Sequence, residues 1–180
     1  MKFFWVMVVF NFLSTLAFAS AVYQQPCRTI NEDDYVQFSI ESENLNVGSN
    51  LKVKVVAFED EMCQVPYLTY TQYFKLDSFF NEKINLVAEK VSYTAMSNET
   101  AESLNMMKYC DQDSWISHQE VDVTGQNCQD YIQLSRGSLF FQILKQTDIG
   151  LQFGEITSSL DGRSEQTRPQ KFDQFVYLKL

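Results

Sequence analysis

The chain has 180 residues, 45% of them hydrophobic, with 14 Lys and Arg set against 23 Asp and Glu for a formal net charge of −9. That length suits one domain able to bury a sizeable core. A field of that sign repels nucleic acid and anionic membrane surfaces, whose phosphates call for clustered Lys and Arg, so neither is an expected partner.

Lys2 precedes an apolar run over 3–10, which continues through Leu13 and Leu16 into the small residues of 17–21. Charged, apolar and small-residue regions in that order read as a secretory signal peptide over 1–21, with cleavage after Ala19 or Ala21. The domain is then 22–180. Its charge is −10, because the leader holds one Lys and no acid. Export delivers Cys27, Cys63, Cys110 and Cys128 to an oxidising compartment, where they can pair. No later apolar run approaches the ~20 residues of a spanning helix, so a secreted chain with no membrane span in its mature form is expected.

Short alternating runs then recur between turn signals, the pattern of an all-β chain. Over 35–41, Val36, Phe38 and Ile40 alternate with Gln37, Ser39 and Glu41; over 51–58, Leu51, Val53, Val55 and Ala57 oppose Lys52 and Lys54. Residues 67–76 are dense in Tyr and Thr, which suit a half-buried pleated surface. The stretch 83–94 fits both an alternating and a helical stripe. Its β-branched and aromatic residues favour a strand. A short helix is expected over 99–108, and further strands over 138–145, 150–156 and 172–180. Eight or nine strands joined largely by hairpins favour closure into a barrel, which removes exposed edges.

The C-terminal third carries Leu151-Gln-Phe-Gly154, a loop over 160–169 with Asp161-Gly162 and Arg168-Pro169, and the segment 172–177. Earlier come Glu59-Asp60-Glu61 ahead of Cys63, then Cys110, Trp115, and Asp122 ahead of Cys128. This succession, over about residues 35–177, resembles the extracellular calycin or lipocalin-like barrels, and looks closest to domains akin to the adenomatosis-polyposis-coli-down-regulated family. The resemblance implies one antiparallel lipocalin-like β-barrel with a single short helix. The Gly-x-Trp of the first lipocalin strand is not present, and Gln24-Gln-Pro-Cys-Arg28 stands in its place. A signalling-antagonist kinship also leaves room for an extracellular protein partner engaged through the loops.

Catalytic and metal chemistry find little support. His118 is the sole histidine, and no nucleophile–base pattern or zinc-ligand spacing forms around it. Glu59-Asp60-Glu61 and Asp111-x-Asp113 could offer hard oxygen ligands, but neither matches a calcium loop. No catalytic residue, metal or cofactor is expected. Arg163 and Arg168 flank the Asp161-Gly162 turn, and Arg168 reads as a loop-rigidifying cation across the barrel mouth. Asn98-Glu99-Thr100 is a glycosylation sequon; the competing role for Asn98 is a helix N-cap.

Fifteen Phe, nine Tyr and two Trp exceed what a plain core requires. Tyr70, Phe74, Phe141, Phe153 and Tyr177 could line a cup for a lipid or another small hydrophobic or amphipathic molecule. The sequence therefore reads as a non-catalytic secreted binder, with a loop-based interaction module second and a secreted hydrolase third. Four cysteines allow three pairings. Cys27–Cys63 with Cys110–Cys128 staples two successive parts of a barrel without crossing.

Overall fold

A computed structural model describes residues 20–31, 34–129 and 131–180. The leader expected over 1–21 lies outside them except for Ser20 and Ala21. The strands are β1 (Ala21–Gln24), β2 (Arg28–Asn31), β3 (Asp34–Ser42), β4 (Asn50–Phe58), β5 (Pro66–Phe80) and β6 (Lys83–Ala95). After helix α1 (Asn98–Met106) come β7 (Glu120–Asp122), β8 (Asn127–Cys128), β9 (Tyr131–Ile132), β10 (Leu139–Thr147), β11 (Gly150–Phe153) and β12 (Tyr177–Lys179).

Eight strands close on themselves in the order β1-β12-β11-β10-β6-β5-β4-β3, and β3 returns to β1. Every pairing is antiparallel. The molecule is an all-β, closed eight-stranded antiparallel barrel with one helix and two disulfides, the architecture expected from the strand pattern, the cysteines and the resemblance together. β2 extends the edge of β3 beyond β1, β7 covers the part of β6 that outreaches β10, and β8–β9 form a separate small ribbon.

Antiparallel order sorts the connections to the two ends. Segment 43–49, the two-residue turn Asn81–Glu82 and the turn Asp148–Ile149 cap one end. The long connections 59–65, 96–138 and 154–176 belong to the other. Asn81 and Glu82 both take positive φ, 49° and 64°, which matches the right-handed twist of the flanking strands.

At the hairpin end, Ile40, Leu51, Leu76, Ile84, Leu144 and Leu151 are fully buried in one cluster. Each such side chain contributes roughly 1.5–3 kcal/mol of burial. The closing strand β12 is only three residues long and depends on a close backbone approach. A Cβ on Gly150 would stand 1.9 Å from the Tyr177 carbonyl oxygen, so only glycine lets β11 meet β12.

Three boundaries differ from the sequence reading. Ser97, not Asn98, caps α1, its hydroxyl accepting the Thr100 N–H at 3.1 Å. The strand expected over 172–180 shrinks to Tyr177–Lys179, because Phe172, Asp173 and Phe175 turn inward to line the interior. The strand expected over 150–156 ends at Phe153, where Gly154 leaves the ladder after a single bridge to Phe172. The two expected crosslinks are present, Cys27–Cys63 and Cys110–Cys128, with Cα separations of 5.9 and 4.0 Å. Both anchor segments of the loop-rich end.

Candidate functional site

Alternation puts Phe38 and Ile40 of β3, Val53 and Val55 of β4, Tyr70 and Phe74 of β5, and Leu86 and Tyr93 of β6 on the inner face. Together they enclose a cavity of about 970 Å³. Its floor is apolar, with Phe74 stacked on Phe140 at 5.6 Å between ring centroids. Its rim is polar and lies at the loop-rich end, where Glu155, Thr157, Ser158, Asp161 and Asp173 meet Tyr131. Tyr131 is 54% exposed and marks the opening.

Of the five aromatic residues singled out in the sequence, Tyr70, Phe74, Phe153 and Tyr177 stand on this wall. Phe141 does not; its neighbour Phe140 takes the inward place. Phase in β10 is set by Gln142, only 4% exposed and facing inward. Its amide group bonds the Gly154 backbone in both directions, accepting the N–H at 3.0 Å and donating to the carbonyl at 3.3 Å. Two adjacent phenylalanines gave no phase; the glutamine did. Phe141 points outward and lies beneath the Arg168 guanidinium at 5.2 Å.

Arg168 itself does not cross the mouth. It is buried on the outer side of β6 and β10, donating to the carbonyls of Ile84 and Gln142 at 2.8 and 2.6 Å and to Asn85 Oδ1 at 2.6 Å. Its remaining donors meet Glu165 at 2.5 and 3.2 Å. The loop 160–169 is thereby fixed against the barrel wall, as a rigid side of the opening. Arg163 completes that side by donating to the Ile132 carbonyl and lying over the Tyr131 ring at 4.7 Å. Asp161, held below the usual carboxylate range by the Thr167 hydroxyl and the Arg163 N–H, secures the turn.

An aromatic chain runs from the cavity toward the Cys110–Cys128 crosslink. Tyr70, Tyr93, Tyr109 and Trp115 follow one another at centroid distances of 4.9, 5.4 and 6.2 Å. Tyr70 donates to buried Gln133 at 3.0 Å, and Tyr109 to Tyr93 at 3.3 Å. Burial pushes the phenols of Tyr70, Tyr93 and Tyr177 well above their ordinary value, so they remain neutral donors. Trp115 is pinned by Asn105, whose side chain bonds its N–H at 2.6 Å and its carbonyl at 3.0 Å.

One cation sits in the wall among the described lining residues. The Arg28 guanidinium lies between the rings of Phe38 and Phe175, 4.5 and 4.3 Å from their centroids. Asp173 stands 3.5 Å away. Sequence reading passed over Arg28 because its partners lie about ten and about 145 residues along the chain, and neither spacing is a recognisable motif.

The other residues weighed for chemistry stand apart from the cavity. His118 occupies a turn at φ 61° on the outer surface. The Asp60 carboxylate is taken up by the backbone N–H groups of Met62, Gln64 and Val65. No group of three His, Cys, Asp or Glu among the described residues could hold a metal ion. No helix among them is long and apolar enough to cross a membrane. Compared with known proteins, the sequence matches no family model and no curated protein.

Proposed function

We propose that this protein is a secreted, non-catalytic carrier that encloses a hydrophobic or amphipathic molecule in its barrel, a distant member of the extracellular calycins. The carrying observation is the cavity. About 970 Å³ lies at the upper end of the ~300–1,000 Å³ range of small-molecule sites. Its apolar floor would draw a chain or ring out of water, and a few neutral phenols and amides would orient it. Catalysis has no part in this reading.

Export is the setting the crosslinks favour. Cleavage after Ala19 suits the fold better than cleavage after Ala21, because Ala21 belongs to β1 and pairs with Ser42. Asn98 is exposed at the start of α1, and Ser117 donates to its side-chain oxygen at 2.5 Å. A glycan there would project away from the barrel.

A second reading, docking of an extracellular protein on the loops, draws on the exposed Met106, Met107, Ile116 and Ile132 at the same end. Native mass spectrometry of protein secreted from eukaryotic cells separates the two. Enclosure predicts a co-purifying adduct of a few hundred daltons that organic extraction removes. A bare polypeptide mass before extraction contradicts it.

A further inference from the structure

The polar groups of the cavity wall differ in how far they are already satisfied. Tyr70 donates to Gln133, and Gln142 is committed to Gly154. Asp161 is occupied by its own loop and by Arg163. Asp173 accepts the Phe175 N–H at 3.2 Å. Arg28 stands out. It has five guanidinium and Nε donors, yet its only polar partner among the described residues is Asp173, at 3.5 Å between Nη1 and Oδ2. The Phe38 and Phe175 rings pack 4.5 and 4.3 Å from its central carbon, and the N–H groups that Asp173 does not take are left to meet a partner.

The position of those N–H groups matters as much as their chemistry. Arg28 pairs in register with Val36 near the start of β3, beside Asp173 and Phe175 of the 154–176 connection. That is the loop-rich end. Below it the wall becomes Phe38, Ile40, Val53, Phe74 and Leu86. Unspent cationic donors above and an apolar well below make a two-part site.

From this we infer that the ligand is an anionic amphiphile, whose single oxyanion head, a carboxylate, meets the free N–H groups of Arg28 while its hydrocarbon part descends to Phe74 and Leu86. The inference rests on the enclosure reading and narrows it. A charged head bonded by guanidinium is held more firmly than a neutral hydroxyl. Asp173 restricts the head to the N–H groups it does not take, which favours one compact oxyanion over a bulky or doubly charged one. The negative charge of the whole protein slows anion approach without forbidding it, because screening limits that field to about 8–10 Å at ordinary ionic strength.

The test is a chain-matched series of probes on delipidated full-length secreted protein: dodecanoate, dodecanol and dodecylammonium at pH 7.5, followed by calorimetry. Dodecanoate is expected to bind about 10-fold or more tightly than dodecanol, and dodecylammonium weakest of all. In Arg28→Gln, dodecanoate should lose about 10- to 100-fold and dodecanol at most a few-fold. Dodecanol binding as tightly as dodecanoate, dodecylammonium binding best, or equal losses for both probes in Arg28→Gln would each overturn the assignment. Should Arg28→Gln fail to fold, the comparison of the three heads on the unaltered protein still decides. Failure of all three probes to bind removes enclosure itself, a result distinct from binding without preference for the anion.

Discussion

The two ends of this barrel solve opposite problems. At the hairpin end, short turns over 43–49, 81–82 and 148–149 bring Leu51, Leu76, Ile84, Leu144 and Leu151 into contact, and the interior there is filled. At the loop-rich end Tyr70, Tyr93, Phe140 and Phe153 line open volume. Apolar burial holds the first end together. The second also buries Ala95, Leu104, Trp115 and Val123 beneath its long connection, but its inner face is hollow. It adds local fasteners there: two disulfides, the buried Arg168 and the Arg163–Tyr131 stack. The lesson is that a hollow site costs packing, and that directional bonds and crosslinks replace it where the cavity lies.

The largest expected effect separates the ends by truncation. Leu144→Ala should destabilise by about 4 kcal/mol, since the site is fully packed and leaves a new void. Phe140→Ala removes a larger side chain yet should cost only about 2 kcal/mol, because one side of that ring already faces the cavity. Urea unfolding of both variants measures the difference. A larger loss for Phe140→Ala would mean the cavity side is packed after all.

Removing the Cys110–Cys128 crosslink as paired serines should cost about 3 kcal/mol, as its 18-residue separation implies for a loop of that length. The damage should be local to the open end. Hydrogen exchange is expected to rise over 109–134 and stay slow in β10–β11. Uniform acceleration would contradict a division of labour between the ends.

Acid should loosen the open end first, and by the smallest amount. Hydrogen bonds from Thr167 and Arg163 hold Asp161 below its ordinary 3.8, and Arg168 holds Glu165 below 4.5. At Glu120, burial raises the value, but the bonds from Ser92, Lys90 and Tyr73 outweigh it. Each carboxylate is depressed on folding, so its contribution is complete above the unfolded value and disappears as pH falls through the folded one. These groups are largely exposed, so the summed loss below about pH 4.5 should be only about 1 kcal/mol. Denaturation midpoints between pH 6 and pH 2.5 report it, and stability that rises on acidification would reverse the sign.

Much of the closed architecture was legible along the chain, and the reasons are local. Alternation of Leu51, Val53 and Val55 against Lys52 and Lys54 assigned faces correctly, because polar and apolar residues strictly exchange over 51–55. In 138–145 the run Leu139, Phe140, Phe141 is apolar on both faces, so periodicity held no phase, and the deciding Gln142–Gly154 bonds join β10 to the residue just past β11. β7, β8 and β9 are two or three residues long, too short for any period to register. Of the five strand aromatics named from the sequence, Tyr70, Phe74, Phe153 and Tyr177 stand on the candidate wall. Arg28 could not be so named, because its setting between Phe38 and Phe175 exists only once the barrel has closed.

The central claim is that an apolar chain occupies the interior. Val53 faces the cavity from the middle of β4, and Val56 of the same strand faces outward. Calorimetric titration of dodecanol should give saturable one-to-one binding to the unaltered protein and to Val56→Trp, with a negative heat-capacity change. Val53→Trp, which fills the well with an indole ring, should weaken it at least about 10-fold while leaving the circular dichroism spectrum in place. Absence of saturable binding, or binding indifferent to Val53→Trp, would contradict enclosure.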